Sequence, residues 1–281
     1  MAPSESGNLL HEEKRGKFML VLSEKQLLRG TVGLGLTLGT VLLCSHVASA
    51  ATFGVSWDDG SANSLQDHLD ALTVSGPNID TVGGQTGFER FTNTATGGSV
   101  STFMFEIAGF ASTNKFGVYN QSGQKAELFG GINDVSDQAL ISFNNGDLGV
   151  TRIPWAPGNS TGLSQSIYNG FGNVFGFYLE RGDGTTFYTE KSRNGGYEQA
   201  VVYQGNNATT LQIPGKSPGL FTDNEFIIAF EDLWLGSNTD RDYQDMVIMV
   251  ESVKPVPEPA TILGLGLIGG ALTLTRRRKN S

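Results

Sequence analysis

Short apolar runs recur between residues 101 and 253, separated by turns rich in glycine, asparagine and aspartate. Most alternate apolar with polar positions or are dense in β-branched and aromatic residues, a pattern of strands more than of helices. Strands are predicted over 101–110 (STFMFEIAGF), 115–120 (KFGVYN), 126–131 (AELFGG), 138–143 (QALISF), 173–180 (NVFGFYLE), 185–191 (TTFYTEK), 199–204 (QAVVYQ), 225–232 (EFIIAFED) and 245–253 (DMVIMVESV). In FGFYLE the period of two sends Phe175, Phe177 and Leu179 to one side and Gly176 and Tyr178 to the other. Between strands, RGDGT, RNGGY and FNNGD supply the Gly and Asn residues that accept φ > 0 in tight turns. One helix is predicted in SANSLQDHLDAL, where Leu65, Leu69 and Leu72 share a face and Ser61 or Asn63 is available as the cap. About nine strands with no helices alternating between them specify an all-β fold. The expected architecture is an antiparallel β-sandwich, jelly-roll-like, with one short N-terminal helix. Roughly 200 residues suffice for one core, so a single domain is predicted over 51–254.

The two ends have a different texture. Lys14, Arg15, Lys17, Lys25 and Arg29 precede the apolar run TVGLGLTLGTVLLC (31–44), and Ala48-Ser49-Ala50 follows it. A basic region, a short apolar core and a small-x-small site form a secretory signal peptide over 1–50, cut by signal peptidase after Ala50. Its long leading region leaves open a start at Met19, and an uncleaved anchor is the alternative. Leu43 is bulky where a lipoprotein site has a small residue before Cys44. At the other end, 260–274 carries no charge and is followed by Arg276, Arg277, Arg278 and Lys279. As a helix that run spans about 22 Å, short of the roughly 30 Å hydrocarbon core, and Gly264, Gly266, Gly269 and Gly270 weaken it as a permanent anchor. The cations stay on the cytoplasmic side, which leaves the preceding domain outside. KPVPEP (254–259) reads as a stiff, extended linker that ends the domain.

The ends also distort the overall charge of -9. They hold nine of the nineteen Lys and Arg residues and five of the twenty-eight Asp and Glu residues, so 51–254 carries a net charge of -13. A surface so acidic cannot track a phosphate backbone, and no nucleic-acid partner is expected. The single cysteine, Cys44, lies in the leader, which removes disulfide and thiol chemistry from the domain. Of the three histidines only His68 lies in the domain, on the surface of the predicted helix, so Cys/His zinc sites and Ser-His-Asp catalysis have little to draw on.

Acidic residues concentrate in NEFIIAFEDLWLGSNTDRDYQDMVIMVES. The strand 225–232 ends in Glu231-Asp232, and Asp240, Asp242 and Asp245 precede the last strand. Residues two apart in an extended chain point to the same side, so Asp240 and Asp242 converge, and Asp245 joins them if the chain turns at Tyr243-Gln244. Calcium takes six to eight oxygens from carboxylates and carbonyls, and Glu231, Asp232, Asp240, Asp242 and Asp245 are its candidate ligands. The spacing is not that of an EF-hand loop. The same acids also serve as turn formers and helix caps with Arg241 and water as partners, and both readings stand at this point.

Two resemblances follow from these motifs. Val256-Pro257-Glu258-Pro259, the Gly-rich apolar segment and the terminal arginines resemble the PEP-CTERM sorting signal of bacterial surface proteins. That resemblance implies processing by an exosortase near Pro-Glu-Pro, a membrane-anchored intermediate with a transmembrane helix at about 260–275, and delivery to the cell envelope or extracellular matrix. It makes 255–281 a temporary address. FEDL followed by DRDYQDMV resembles the C-terminal signature of a secreted family of unknown function found in bacterial adhesins and PEP-CTERM proteins. Phe230, Glu231, Asp232, Asp240, Asp242, Tyr243 and Asp245 match it, while Gln244 replaces its usual Asn. The likeness extends through SLQDHLDAL, GFGNVFGFYLE and GGYEQAVVYQG, and implies a β-sandwich and a surface location without implying an activity.

Other chemistry has weaker support. Glu225, Glu231 and Asp232 offer paired carboxylates for glycoside hydrolysis. Trp155, Tyr168, Trp234 and Tyr243 offer aromatic faces to sugar rings, though such residues more often complete a core. GDGT at 182–185 lacks the GK[ST] and helix of a phosphate loop. The expected protein is therefore a non-enzymatic exported surface or matrix protein, structural or adhesive. A carbohydrate-binding module acting on exopolysaccharide is the alternative, and a polysaccharide hydrolase comes third.

Overall fold

The computed structural model describes residues 51–53, 64–95, 99–105, 112–130, 137–154, 163–237 and 239–257, with backbone only for 99–105. Helix α1 (Leu65–Leu72) opens on Ser64, whose hydroxyl accepts from the Asp67 amide while the Asp67 carboxylate accepts from the Ser64 amide. This reciprocal capping box satisfies two amides that the first turn leaves without partners. Ser64 therefore takes the role expected of Ser61 or Asn63, which lie outside the described residues. Leu65 and Leu69 are buried and Leu72 packs beside them, the face that the spacing predicts. His68 sits half-buried on the helix.

The strands in chain order are β1 (Thr73–Ser75), β2 (Gln85–Thr86), β3 (Phe91–Asn93), β4 (Ser99–Phe105), β5 (Lys115–Asn120), β6 (Lys125–Gly130), β7 (Gln138–Asn144), β8 (Asp147–Ile153) and β9 (Ser164–Tyr168). They continue with β10 (Val174–Glu180), β11 (Thr186–Tyr188), β12 (Ala200–Gln204), β13 (Thr210–Leu211), β14 (Gly219–Leu220), β15 (Glu225–Phe230), β16 (Met246–Glu251) and β17 (Val253–Pro255). Every pairing among the described strands is antiparallel. One sheet runs β2-β12-β15-β16-β4-β7-β8-β9, a second runs β17-β3-β10-β5-β6 with β11 on β10, and β1-β13-β14 form a third.

A single apolar cluster joins the two large sheets. Phe175, Phe177 and Leu179 of β10 enter it from one side, and Phe226, Ile228 and Phe230 of β15 with Ile248 of β16 enter from the other. Rings meet across it, Phe91 with Phe226 at 5.2 Å and Phe116 with Phe230 at 6.0 Å between centroids. The opposite faces of β15 and β16 are also covered. Ile227, Ala229 and Val247 belong to a second cluster with Leu65 and Leu69 of α1 and Leu211 of β13. Burial on both faces explains why these two strands read as continuous apolar runs without alternation. On the outer face of the six-stranded sheet, Tyr119 lies over Gly176 and Tyr178 over Gly117, each pair directly opposite in register. A Cβ at Gly176 would stand 2.5 Å from the Tyr119 ring, so the glycine is what admits the tyrosine.

Two strand expectations and one linker expectation change. The run 185–191 is a strand only over Thr186–Tyr188 and then turns into a 3-10 helix, Lys191–Asn194. The run 245–253 is broken at Ser252, where φ is 63°, and passes from one large sheet to the other. The linker expected from residue 254 starts inside the sheet, since Lys254 and Pro255 pair with β3 and the Val256 amide donates to the Arg90 carbonyl at 2.9 Å. Among the described residues no helix is long and apolar enough to cross a membrane. The expected leader, 1–50, and the apolar tail at about 260–275 lie outside them.

Candidate metal centre

The end of β15 and the start of β16 lie side by side, since Phe230 and Met246 are register partners. The antiparallel pairing therefore draws together the acids that follow one strand and precede the other. Glu231, Asp240 and Asp242 each place a carboxylate oxygen within 4.8 Å of the others, and so do Glu231, Asp232 and Asp245. Asp240 is exposed, whereas Glu231 is 0 % and Asp232 2 % exposed.

The chain does not reach this arrangement by extending. Arg241 and Tyr243 both take left-handed backbone, with φ of 58° and 53°. Such conformations cost non-glycine residues about 1 kcal/mol or more each and persist where the surroundings enforce them. The chain bends at Asp245, after the left-handed Tyr243, and Asp245 joins Glu231 and Asp232, not Asp240 and Asp242. Tyr243 is buried, its hydroxyl donating to the Glu198 carbonyl at 2.9 Å.

Residues remote in sequence hold the loop. Gln199, immediately before β12, donates to the carbonyls of Glu231 and Leu233 and accepts from the Leu235 amide. Arg181 donates to the Asp232 carbonyl at 3.2 Å. Asn114, immediately before β5, donates to Asp232 Oδ2 at 3.0 Å. Asp245 Oδ2 accepts from the Asp232 amide at 2.6 Å, and Asp242 accepts from both the amide and the side chain of Gln244. Three buried acceptors are left without a donor: Glu231 Oε2, Asn114 Oδ1 and Gln244 Oε1. Asn114 could not be read from the acidic pattern, because a neutral amide carries no charge signal and it stands more than a hundred residues away, whereas Gln244 occupies the position where the resembled signature has Asn.

The electrostatics follow from burial. Burial pushes Glu231 up to about 7, with the Thr239 hydroxyl acting against it and Asp240 and Asp242 adding to it. Burial likewise raises Asp232, against the opposing effects of Asn114 and Arg181, and Asp240 and Asp183 add to the rise. Asp245 is raised well above the carboxylate range by burial and then by Asp232, Glu231 and Asp242. Carboxyls crowded into one water-poor volume either keep their protons, the direction of these shifts, or take a positive partner. The cluster has the donor set of an oxygen-ligated divalent cation.

The remaining candidate residues separate. Glu225 begins β15 and Glu231 follows its end, about 20 Å away along an extended strand, so the two cannot act on one bond as a hydrolytic pair. Of the aromatics, Tyr168 is half-buried against the main core, and Tyr243 is buried and offers no free ring face. Trp234 is 39 % exposed, stacked on Phe187 and meeting the exposed Tyr197 edge-on at 5.6 Å. Val256 and Pro257 follow β17, while Ala48, Glu258, Pro259, Arg276, Arg277 and Arg278, along with Trp155, lie outside the described residues. Comparison of the chain with known protein families, with curated proteins and with solved structures gives no match.

Proposed function

We propose that this chain is an exported, non-catalytic surface or matrix protein, a calcium-stabilised β-sandwich delivered by a temporary C-terminal anchor. The observation that carries the calcium part is the set of buried oxygens without donors beside five clustered carboxylates. Unsatisfied buried acceptors are costly, and a cation satisfies them together with the charge. Ligand oxygens within 4.8 Å of one another suit a shell of about 2.4 Å radius, the calcium–oxygen distance. The sandwich rests on two large antiparallel sheets that share one apolar filling. Export and sorting rest on the two apolar ends and Val256-Pro257-Glu258-Pro259. The partners are then signal peptidase, exosortase and, at the surface, polysaccharide.

Thermal unfolding of the purified protein tests the calcium reading. Calcium at one hundred times its dissociation constant adds about 2.7 kcal/mol, a rise in Tm of roughly 5–10 °C for a domain of this size. The rise is expected in millimolar calcium, is reversed by EGTA, and is reduced in the pair Asp240→Asn with Asp242→Asn. A wild-type Tm indifferent to both additions would refute it. A second reading, glycan binding, has one observation in its favour, the exposed Trp234 and Tyr197 pair. Tryptophan fluorescence that shifts with added glycan, and fails to shift in Trp234→Ala, would establish it.

A further inference from the structure

We infer that the acidic cluster is a two-cation site in which the Glu231 carboxylate bridges the ions, an inference that rests on the calcium reading above. The five acids do not form one shell. They fall into two groups of three, Glu231 with Asp240 and Asp242, and Glu231 with Asp232 and Asp245, and Glu231 is the member they share. Each group is hydrogen-bonded by a buried side-chain amide whose oxygen has no donor. Gln244 donates its nitrogen to Asp242 of the first group and is 1 % exposed, leaving Oε1 unpartnered. Asn114 donates its nitrogen to Asp232 of the second group and is 0 % exposed, leaving Oδ1 unpartnered. Glu231 itself spends Oε1 on the Leu233 amide at 3.2 Å and keeps Oε2 without a donor.

Charge points the same way. With all five carboxylates ionised, one divalent ion leaves three of their negative charges uncompensated, four of the five groups being buried, and a second ion leaves one. Carboxylates bridging neighbouring cations are a common answer to this crowding, since each oxygen has more than one lone pair. The two positions differ in access. The first group reaches solvent through the exposed Asp240, so its ion completes its shell with water and exchanges readily. The second is closed in by Asn114, Asp232 and Asp245, all of them buried, and its ion exchanges slowly.

The experiment is a calcium stoichiometry on the full-length chain in detergent, stripped with chelator and titrated by isothermal calorimetry, with removal by EGTA followed in time. The expected result is two calcium ions per chain leaving in two phases. Asp240→Asn, on the exposed side where folding is least disturbed, should halve the stoichiometry and abolish the fast phase alone. Asp245→Asn should abolish the slow phase, and Glu231→Gln should weaken both ions at least tenfold, with circular dichroism confirming the fold of each variant. A single ion in the wild type, lost in one step, overturns the two-cation site and leaves the calcium reading intact. No bound calcium overturns both.

Discussion

Glu190 collects four donors: Arg90 at 2.7 Å and Ser192 at 3.1 Å on one oxygen, Arg193 at 2.8 Å and Tyr119 at 3.3 Å on the other. Arg193 in turn lies over the rings of Tyr119 and Tyr188. Burial alone would raise the carboxyl, but the bonds from Arg193, Arg90 and Ser192 bring it below the ordinary value. A carboxyl lowered on folding stabilises the protein above the unfolded-state value and stops doing so as pH falls through the folded one. Glu190→Gln should therefore cost about 1–2 kcal/mol at pH 7, and the gap to wild type should narrow as the pH falls below the ordinary carboxylate range. Urea unfolding at neutral and acid pH measures it, and a gap that does not narrow in acid would contradict the assignment. At this scale the sequence is readable where partners are near in the chain. Glu231-Asp232 and Asp240, Asp242 and Asp245 stand out as clustered acids because a short loop supplies all of them. Asn114, Gln199 and Arg181 complete their surroundings from three other connections, and only strand pairing brings these close.

Strands β15 and β16 have side chains buried on both faces, so changes there should be felt more than at the sheet edge. Ile228 is fully buried between register partners Val202 and Ile248. Ile228→Ala is expected to cost about 2–5 kcal/mol by losing burial and leaving a cavity. Ile167, on β9 at the edge of the eight-stranded sheet, is 67 % exposed, and Ile167→Ser should stay within about 0.5 kcal/mol. Equal losses in denaturant unfolding would mean that the order of the sheet is wrong. The long central strands are legible because enough residues carry the pattern. Strands β1, β2, β13 and β14, of two or three residues each, are too short to show a period, and their partners define them. β8 is different. Leu148 and Val150 alternate into the core directly after a tight turn at Asn145 and Gly146, both with positive φ, yet Gly149 and Arg152 dilute the run enough to hide it. The break at Ser252 is equally hidden, because nothing in VESVKP signals a left-handed serine that sends the chain to the other sheet.

At the scale of the whole molecule, the described chain stays on the sheet up to Val256, the residue before Pro-Glu-Pro. The last sheet hydrogen bond before the Pro-Glu-Pro is the one from Val256 to Arg90, and β17 is an edge strand, where a terminal proline such as Pro255 is tolerated. A cut near Pro257-Glu258-Pro259 thus removes the apolar segment and arginines without taking any residue of the two buried clusters. On the proposed route, recognition by the exosortase depends on the Pro-Glu-Pro itself. Glu258→Ala should then leave a species of full tail mass in the membrane fraction, whereas wild type yields a shorter product outside the membrane. Cell fractionation with intact mass measurement distinguishes the two. Unaltered release of Glu258→Ala would remove the exosortase route and leave the arginine-flanked helix as an ordinary anchor.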